Sequence, residues 1–475
     1  MDQDSRSIIK IAVISDLHVM APQLLVKDGR ALEAYLERDR KMLRDSVEIL
    51  DKIIDDILNP ETDFKPDLVL VTGDLTKDGE RVSHELVAGR LQRFDKAGIQ
   101  VLVIPGNHDI NNPDAKVYDG DTASQTDTIT RREFAAIYRQ MGYDERSRRD
   151  TDTLSYCRDV GSNLTILAID ACMDRYNTFI SRGDAQDHCK TSGHLEPSSI
   201  QWIVSQAERA TAQGRRVIAM MHHHLVPHFH MEDTLAAPYM VNEAEVLARQ
   251  LVEAGVHVIF TGHLHISDIC QTKRYGRQII EIATAAAVGY PCQWRAVTCY
   301  MSTGTMYVNT RNITSLPSQP DFADHARQVF VTSIPTITRG VLHRYWSEVS
   351  QAIDNYRHEH KVVMRYVHLP DGPDAIAELL LKYLQEPVTR AYIAFAEGDE
   401  WGYNHDSLIE QLIDGVNHIV DETVSGLLRP AVKAMLRLRI YHIARLVLRS
   451  ILEDRNDIGT KHESVVNDLT AILDM

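Results

Sequence analysis

Side chains that can bind metal ions or move protons fall in five short motifs, each directly after an apolar run of the sequence. The motifs are DLH (16–18), GD (73–74), GNHD (106–109), HHH (222–224) and GHLH (262–265). Their carboxylate, imidazole and amide groups, with no thiolate among them, suit Mn, Fe, Zn or Co. These ligands outnumber the positions around one tetrahedral ion, so a pair of ions that share one carboxylate would account for them.

The apolar runs that precede the motifs are rich in Val and Ile on both faces, which is typical of strands covered on both sides. Segments with helical spacing separate the runs, and this alternation predicts an α/β layered fold. Ligands of such folds collect at the carboxyl ends of the strands, which is where the motifs fall. Predicted strands cover 8–18, 66–74, 99–109, 163–170, 215–224 and 256–265, predicted helices cover 31–58, 82–98, 197–214 and 242–255, and a strand series follows residue 277.

The spacing within the motifs agrees with this placement. Residues i and i+2 of an extended backbone point to the same side, which would explain the D-x-H and H-x-H patterns. Glycine precedes Asp74, Asn107 and His263, which would let the chain turn where a Cβ atom would collide. A single His or Asp at a strand end is more often a cap, a turn residue or a surface group than a ligand. For five motifs in order, that explanation is improbable.

Taken in order, the motifs resemble those of the calcineurin-like metallophosphoesterase family, over about residues 8 to 311. The resemblance implies a layered β-sandwich of two sheets flanked by helices, with two divalent metal ions (Mn, Fe or Zn) at the strand ends. It also implies that Asp74 bridges the two ions. One ion would be held by Asp16, His18 and His265, and the other by Asn107, His222 and His263.

The same resemblance gives the histidine of the GNHD motif a role separate from metal binding. His108 would lie beside the phosphate and stabilise developing charge or protonate the leaving oxygen, and Asp109 would orient it. The two ions would lower the pKa of a bridging water and supply hydroxide for in-line attack. The sequence contains no G-x-S-x-G, Walker or dinucleotide motif, so a protein nucleophile is not expected.

The triple histidine leaves alternatives open. Family members commonly have H-H-P or H-x-P here with the first histidine on the metal, which favours His222. His223 and His224 could instead line the pocket, with His228 and His230 near its mouth, and all four could equally be semi-exposed loop imidazoles. The segment GDLTKDG lacks the tyrosine of purple acid phosphatases, which disfavours a ferric centre.

The chain is too long for one ordinary core, and its character changes near residue 316. We predict a dimetal phosphoesterase domain at 1–315 and an all-α C-terminal domain at 316–475. Apolar residues recur at helical spacing in the second domain, up to and including HESVVNDLTAILDM (462–475). A long polar connection at 111–134 is a candidate wall or lid of the site. The helical domain could also pair two copies of the chain.

Composition argues against several classes of protein. The chain has 51 Lys and Arg against 67 Asp and Glu, a formal net charge of −16, which disfavours broad nucleic-acid binding. Its 6 cysteines have no C-x-x-C or zinc-ribbon spacing, so we expect free thiols. No apolar run approaches the roughly 18 residues of a membrane span, and no signal segment precedes the first strand. This favours a soluble cytoplasmic protein, although an exported protein with a trimmed signal would look the same.

The leading hypothesis for function is a phosphodiesterase that acts on a small phosphorylated substrate. The catalytic domain, the 111–134 insertion and the helical C-terminal domain together resemble bacterial family members that act on cyclic nucleotides. A phosphomonoesterase or nucleotidase is the enzymatic alternative. A metal-binding scaffold protein is the non-catalytic alternative, although His108 would be dispensable for it.

Overall fold

The computed structural model describes residues 8–37, 40–179, 189–229, 232–272, 278–398, 405–425, 430–437, 441 and 470–475. The strands are β1 (Ile8–Ile14), β2 (Leu25–Lys27), β3 (Leu68–Val71), β4 (Gln100–Val103), β5 (Lys116–Asp119), β6 (Thr122–Gln125), β7 (Ser147–Arg149), β8 (Tyr156–Val160), β9 (Leu164–Ile169), β10 (Arg216–Met221), β11 (Val256–Thr261), β12 (Asp268–Thr272), β13 (Ile279–Ala283), β14 (Gln293–Tyr300), β15 (Thr305–Asn312) and β16 (Thr470–Asp474). The helices are α1 (Arg30–Leu36), α2 (Ser46–Leu58), α3 (Arg81–Lys96), α4 (Arg131–Ile137), α5 (Pro197–Ala212), α6 (Glu232–Leu235), α7 (Ala244–Glu253), α8 (Phe322–Arg344), α9 (Trp346–Glu359), α10 (Lys361–Met364), α11 (Pro373–Glu397) and α12 (His405–Thr423).

Two large sheets form the layers of the fold. The first sheet has the order β16-β15-β14-β1-β3-β4, and the second has the order β12-β13-β11-β10-β9-β8-β7. In the first sheet β1, β3 and β4 run parallel, and in the second β9, β10, β11 and β13 do so. The carboxyl ends of these strands therefore meet at one edge of each sheet. The predicted layered sandwich with flanking helices is confirmed.

Strand β10 shows how the layers are held together. Its residues alternate, so that Ile218 and Met220 join the core between the sheets. Val217, Ala219 and Met221 join a second core against helices α5 and α7. Because both faces are covered, the strand is apolar throughout, and each fully buried large side chain contributes about 1.5 to 3 kcal/mol.

The polar connection at 111–134 contains a β-hairpin, and its role as a wall or lid of the site stays a prediction. Strands β5 and β6 pair antiparallel, and β5 also pairs parallel with β2 to complete a small third sheet. Tyr118 of β5 is buried against Met20, Leu24 and Leu32 in a separate apolar cluster. The hairpin is thus anchored beside the segment that follows β1.

The region after residue 321 is helical, as the sequence predicts, from α8 to α12 and again at 430–437. Helix α11 packs against α8 and α12. The expected helical spacing over 462–475 is wrong at its end, because Thr470–Asp474 form a strand. The predicted boundary at 315/316 stays a prediction, and the structure adds that the last strand lies in the first sheet.

Strand β16 extends that sheet by pairing antiparallel with β15, which places Leu473 opposite Met306. Leu473 is 3% exposed and belongs to the core between the sheets. The carbonyl oxygen of Met475 accepts a hydrogen bond from Arg216 Nη1 at 3.1 Å. The helical spacing of the sequence favours a helix here, but pairing with β15 places the apolar side chains in the core, and this packing decides the structure.

All 6 cysteines are free, as predicted, and only Cys189 is partly exposed. Within the described ranges, no helix combines the length and apolarity needed to cross a bilayer.

Candidate metal centre

The motif residues lie just past the carboxyl ends of strands from both large sheets. The first sheet supplies its ligands after β1, β3 and β4, and the second supplies its ligands after β10 and β11. All seven side chains are buried except that of His265, which is 24% exposed. They form two groups with one member in common: Asp16, His18, Asp74 and His265, and Asp74, His222 and His263, with Asn107 beside the second.

The first group brings three side chains around Asp74. His18 Nε2 lies 3.3 Å from His265 Nε2 and 3.4 Å from Asp74 Oδ2. His265 Nε2 lies 3.2 Å from Asp16 Oδ1. Two imidazole nitrogens and two carboxylate oxygens that converge in this way form a suitable ligand set for one divalent ion.

The second group uses the same oxygen of Asp74. His222 Nε2 lies 3.3 Å from Asp74 Oδ2 and 3.1 Å from Asn107 Oδ1. The rings of His222 and His263 lie 4.5 Å apart between centroids. Asp74 Oδ2 therefore lies between a histidine of the first sheet and a histidine of the second, which is the position of a bridging ligand.

Hydrogen bonds to the backbone fix the orientation of the histidines. His222 Nδ1 donates to the carbonyl of Thr72 at 2.9 Å, which leaves Nε2 available to a metal ion. His263 Nε2 donates to the carbonyl of Thr191 at 3.1 Å, which leaves Nδ1 available. Such partners select the tautomer and hold the ring in place before any ion binds.

The backbone at the ligands is left-handed rather than extended. The φ angles are 51° at Asp16, 37° at His18, 50° at Asp74, 70° at His263 and 64° at His265. The expectation that strand alternation explains the D-x-H and H-x-H spacing is therefore wrong, although both residues of each pair do reach the site. Each such conformation in a non-glycine residue costs of order 1 to 3 kcal/mol, and the surrounding contacts must offset it.

The predicted need for glycine is borne out by close approaches at the turns. A Cβ atom on Gly106 would lie 2.1 Å from Asp74 Oδ1, and one on Gly262 would lie 1.9 Å from Ser15 Oγ. Both contacts are far below van der Waals distance. These positions exclude side chains because the loops from neighbouring strands cross directly over the ligands.

The electrostatics of the site suit bound cations. Burial alone would raise the pKa of Asp74, but the imidazoles of His222, His108 and His18 outweigh it and hold that pKa well below its usual range. Burial lowers the pKa of His18 well below its usual value, and the ammonium of Lys41 adds to this effect. Asp16 Oδ1 is buried and accepts no hydrogen bond. A buried carboxylate that stays ionised, with a second buried carboxylate oxygen that accepts no hydrogen bond, fits two divalent ions.

His108 lies at the rim of the two groups, with its side chain 24% exposed. Its Nδ1 lies 2.8 Å from Asp78 Oδ1, and its backbone N–H donates to Asp74 Oδ1 at 2.9 Å. Asp78 in turn contacts Lys77, a buried lysine that also lies 3.3 Å from Glu80. Burial would raise the pKa of Asp78, but Lys77 and His108 lower it to about 2. The partner of His108 is thus an ionised carboxylate.

The structure places Asp109 away from the His108 ring. Its carboxylate accepts hydrogen bonds from the backbone N–H groups of Leu75, Thr76 and Gly106 at 2.8 to 3.1 Å. Asp109 therefore ties the loop after β4 to the loop that carries Asp74. Asp78, and not Asp109, lies against His108.

Asp78 and Lys41 are the neighbours of the site that sequence reasoning missed. Asp78 lies in the GDLTKDG segment, four residues after Asp74, and an acid so close to a predicted ligand was the available signal. Lys41 is 7% exposed, and its charge adds to burial in lowering the pKa of His18. At His108, burial and Lys41 are outweighed by the carboxylates of Asp74 and Asp78, which raise the pKa of that imidazole. Nothing in the sequence around Lys41 distinguishes it from the surface lysines of a helix.

The further histidines of the 222–230 segment are not semi-exposed. His223 and His224 are 0% exposed and His228 is 1% exposed, so that alternative is wrong for these three. His223 Nε2 donates to the carbonyl of Thr191 at 2.9 Å, and its ring packs against that of His263. His230 lies outside the described residues.

Replacing the shared carboxylate should affect both metal positions. We expect Asp74→Ala to lose metal from both groups, because Oδ2 faces His18 and His222 at similar distances. Metal content per chain, measured by mass spectrometry after dialysis, should fall by about two ions. Asp78→Asn is the matched control, since Asp78 faces His108 and should leave metal content unchanged. Loss of a single ion on Asp74→Ala would contradict the bridging geometry.

A buried histidine behind the site makes stability dependent on pH. His84 Nε2 donates to the carbonyl of Asp109 at 2.7 Å, and its Nδ1 lies 2.9 Å from the Tyr138 hydroxyl. Burial lowers the pKa of His84 from 6.5 to about 3. The unfolded chain therefore takes up this proton at a higher pH than the folded chain, and stability falls as the pH decreases below 6.5.

When the pH is decreased from 7 to 5, we expect His84 to lower the free energy of unfolding by about 2 kcal/mol. His84→Gln should remove that part of the pH dependence, as measured by urea unfolding at both values. His325→Gln, at a half-exposed histidine, is the control and should keep the wild-type dependence. Equal pH dependence in wild type and His84→Gln would show that His84 is not held neutral.

Comparison with known proteins agrees with this geometry. The model of the calcineurin-like phosphoesterase family matches residues 9–267. No curated protein gives a significant match.

Among solved structures, a dimetal phosphatase from Danio rerio is similar, with 15% identity, a TM-score of 0.44, and coverage of 64% of this chain and 96% of that chain. The phosphopantetheinyl hydrolase of Mycobacterium tuberculosis is similar at 14% identity and a TM-score of 0.28, with coverage of 59% and 90%. Because the family model spans more than half of the 475 residues, this chain belongs to the calcineurin-like phosphoesterase family.

Proposed function

We propose that this protein hydrolyses small phosphodiesters, such as cyclic nucleotides, with two divalent ions of Mn, Fe or Zn. The observation that carries the proposal is the position of His108, beside the shared carboxylate but outside both ligand groups. An imidazole in that position is dispensable for holding metal. It is suited to a reaction in which an oxygen leaves phosphorus and takes a proton.

The ligands assigned to the two ions are those whose atoms converge on Asp74. Asp16, His18 and His265 would hold one ion, while Asn107, His222 and His263 would hold the other. When bound, the ions supply an activated water and bind the phosphate oxygens.

The chain's own contribution is the placement of one proton. Nδ1 of His108 is engaged with Asp78, so Nε2 is the nitrogen available to the leaving oxygen. The ionised Asp78 stabilises the protonated imidazole, and Lys77 holds Asp78 in turn. Asp78 is therefore a positioning residue that keeps His108 in its donor form.

The charge of the substrate favours a diester over a monoester. A diester carries one negative charge, whereas a monoester dianion would bring a second charge towards the carboxylates of Asp74 and Asp78. The charge of Lys41 acts on both His18 and His108, so a positive side chain lies close to the site. A nuclease is disfavoured because the net charge is −16.

The first experiment compares bis(p-nitrophenyl) phosphate with p-nitrophenyl phosphate as substrates of the Mn-loaded protein, with metal-stripped protein as the control. Faster, metal-dependent cleavage of the diester is the expected result. Faster cleavage of the monoester would instead favour a phosphomonoesterase or nucleotidase. Turnover of neither substrate by protein with full metal content would favour the non-catalytic scaffold.

The proposed proton donor predicts a dependence on the leaving group. His108→Ala should keep both metal ions and lower kcat about 10²-fold to 10⁴-fold. The loss should be larger for diphenyl phosphate than for bis(p-nitrophenyl) phosphate, because the poorer leaving group depends more on protonation. Asp78→Asn should show the same trend at smaller magnitude, with little change in KM. A loss of equal size for both substrates would exclude His108 as the proton donor.

A further inference from the structure

A third group of metal-type ligands lies next to the dimetal site but shares no residue with it. One nitrogen each of His224 and His228 and one oxygen of Glu281 lie within 4.8 Å of one another. All three residues are buried, with at most 1% exposure. His224 follows β10, His228 lies in the loop beyond it, and Glu281 lies in the middle of β13. The group is therefore at the same edge of the second sheet as His222 and His263.

The ring of His224 is held in the orientation of a metal ligand. Its Nδ1 lies 2.7 Å from Glu232 Oε1, and Glu232 is itself fixed by the backbone N–H of His228, which donates to Oε2 at 2.6 Å. Nε2 of His224 is buried and has no hydrogen-bond partner. A histidine that donates one N–H to a carboxylate and aims the other nitrogen at an ion is a recurrent arrangement in metal sites.

His228 lies between two further carboxylates. Its Nδ1 lies 3.0 Å from Asp268 Oδ2, and its Nε2 lies 3.3 Å from Glu281 Oε1. Neither contact has the direction of a hydrogen bond, and both ring nitrogens and both Asp268 oxygens are buried without a hydrogen-bond partner. The distance from His228 Nε2 to Glu281 Oε1 equals that from His222 Nε2 to Asp74 Oδ2 in the dimetal site, 3.3 Å.

Glu281 is fixed from the opposite side. Its Oε2 accepts hydrogen bonds from the backbone N–H groups of Leu225 and Val226 at 2.9 and 2.6 Å. Its Oε1 accepts one from Thr261 Oγ1 at 2.7 Å and faces His228. The carboxylate is thus oriented within an otherwise apolar strand, on the face away from Ile280 and Ile282.

The charges of the group, taken with its unpartnered nitrogens, suit a bound cation. Glu232, Asp268 and Glu281 bring three carboxylates to the group, with exposures of 0%, 2% and 0%. Even with both histidines protonated, one negative charge would remain uncompensated in a buried environment. One divalent ion with neutral histidines leaves the same net charge as two protonated histidines, but it also gives a partner to the buried nitrogens of His224 and His228 that have none.

We propose that His224, His228 and Glu281 form a third metal site that binds Zn²⁺. Two imidazoles and one carboxylate are a donor set that Zn²⁺ takes up in proteins. Glu232 orients the ring of His224, and Asp268 lies beside the ring of His228. Because the loop that begins at His222 also carries His224 and His228, the third ion fixes that loop and, through it, a ligand of the dimetal site.

The test counts metal ions in the full-length protein. After loading with Mn²⁺ and Zn²⁺ and dialysis against a weak chelator, wild type should retain three ions per chain, one of them zinc that exchanges slowly. His228→Gln and Glu281→Gln should each retain two. His257→Gln is the matched control, because His257 lies on neighbouring β11 and donates to the carbonyl of Gln278 outside the group. Two ions in wild type, or unchanged content in both variants, would overturn the proposal.

A second measurement tests the site without replacing any of its ligands, and it applies if His228→Gln and Glu281→Gln do not fold. In the Asp74→Ala chain, where the dimetal site is disrupted and no activity is expected, Zn²⁺ alone should still bind one equivalent and raise the Tm. Co²⁺ in its place should give the intense visible absorption of a four-coordinate site. If folded Asp74→Ala protein bound neither ion, the proposal would be overturned. The group would then be a network of histidines and carboxylates that share protons. The outcome is independent of whether the enzyme prefers diesters.

Discussion

The sharing of one carboxylate oxygen by two groups of ligands constrains the rest of this structure. Oδ2 of Asp74 must lie within reach of His18, which belongs to the first sheet, and of His222, which belongs to the second. The two sheets can therefore pack only in a register that brings the ends of β1, β3 and β10 together. The core between the sheets, with Ile218 and Met220 facing residues of β1, maintains that register to within the tolerance of a metal site.

This constraint explains why the loops around the site depart from ordinary backbone geometry. Five of the ligands have positive φ angles, and Gly106 and Gly262 allow neighbouring loops to cross over them. A chain selected for stability alone would avoid both features, as well as the buried carboxylates. Strained backbone, crossing loops and buried carboxylates occur together at one edge of the sandwich. This combination is typical of a binding site, where function requires local features that lower stability.

The sequence was sufficient to predict the fold class and the residues that meet around Asp74, because each ligand lies in a short motif at the end of an apolar run. It was insufficient where the relevant contact joins distant segments. Asp78 reaches His108 across 30 residues of sequence, and β16 pairs with a strand more than 150 residues earlier, so neither contact has a local signal. Glu281 is an intermediate case, because an acidic residue inside the run IIEIA was visible and indicates a buried partner.

The position of β16 also affects how the chain can acquire its fold. Strands β15 and β16 are adjacent in one sheet, so helices α8 to α12 lie in a stretch of chain that leaves this sheet and returns to it. During synthesis, the edge of β15 stays unpaired until residue 474 has left the ribosome. Until then the incomplete sheet presents an open edge that can pair with a foreign strand, so the nascent chain is more prone to aggregation than the finished protein.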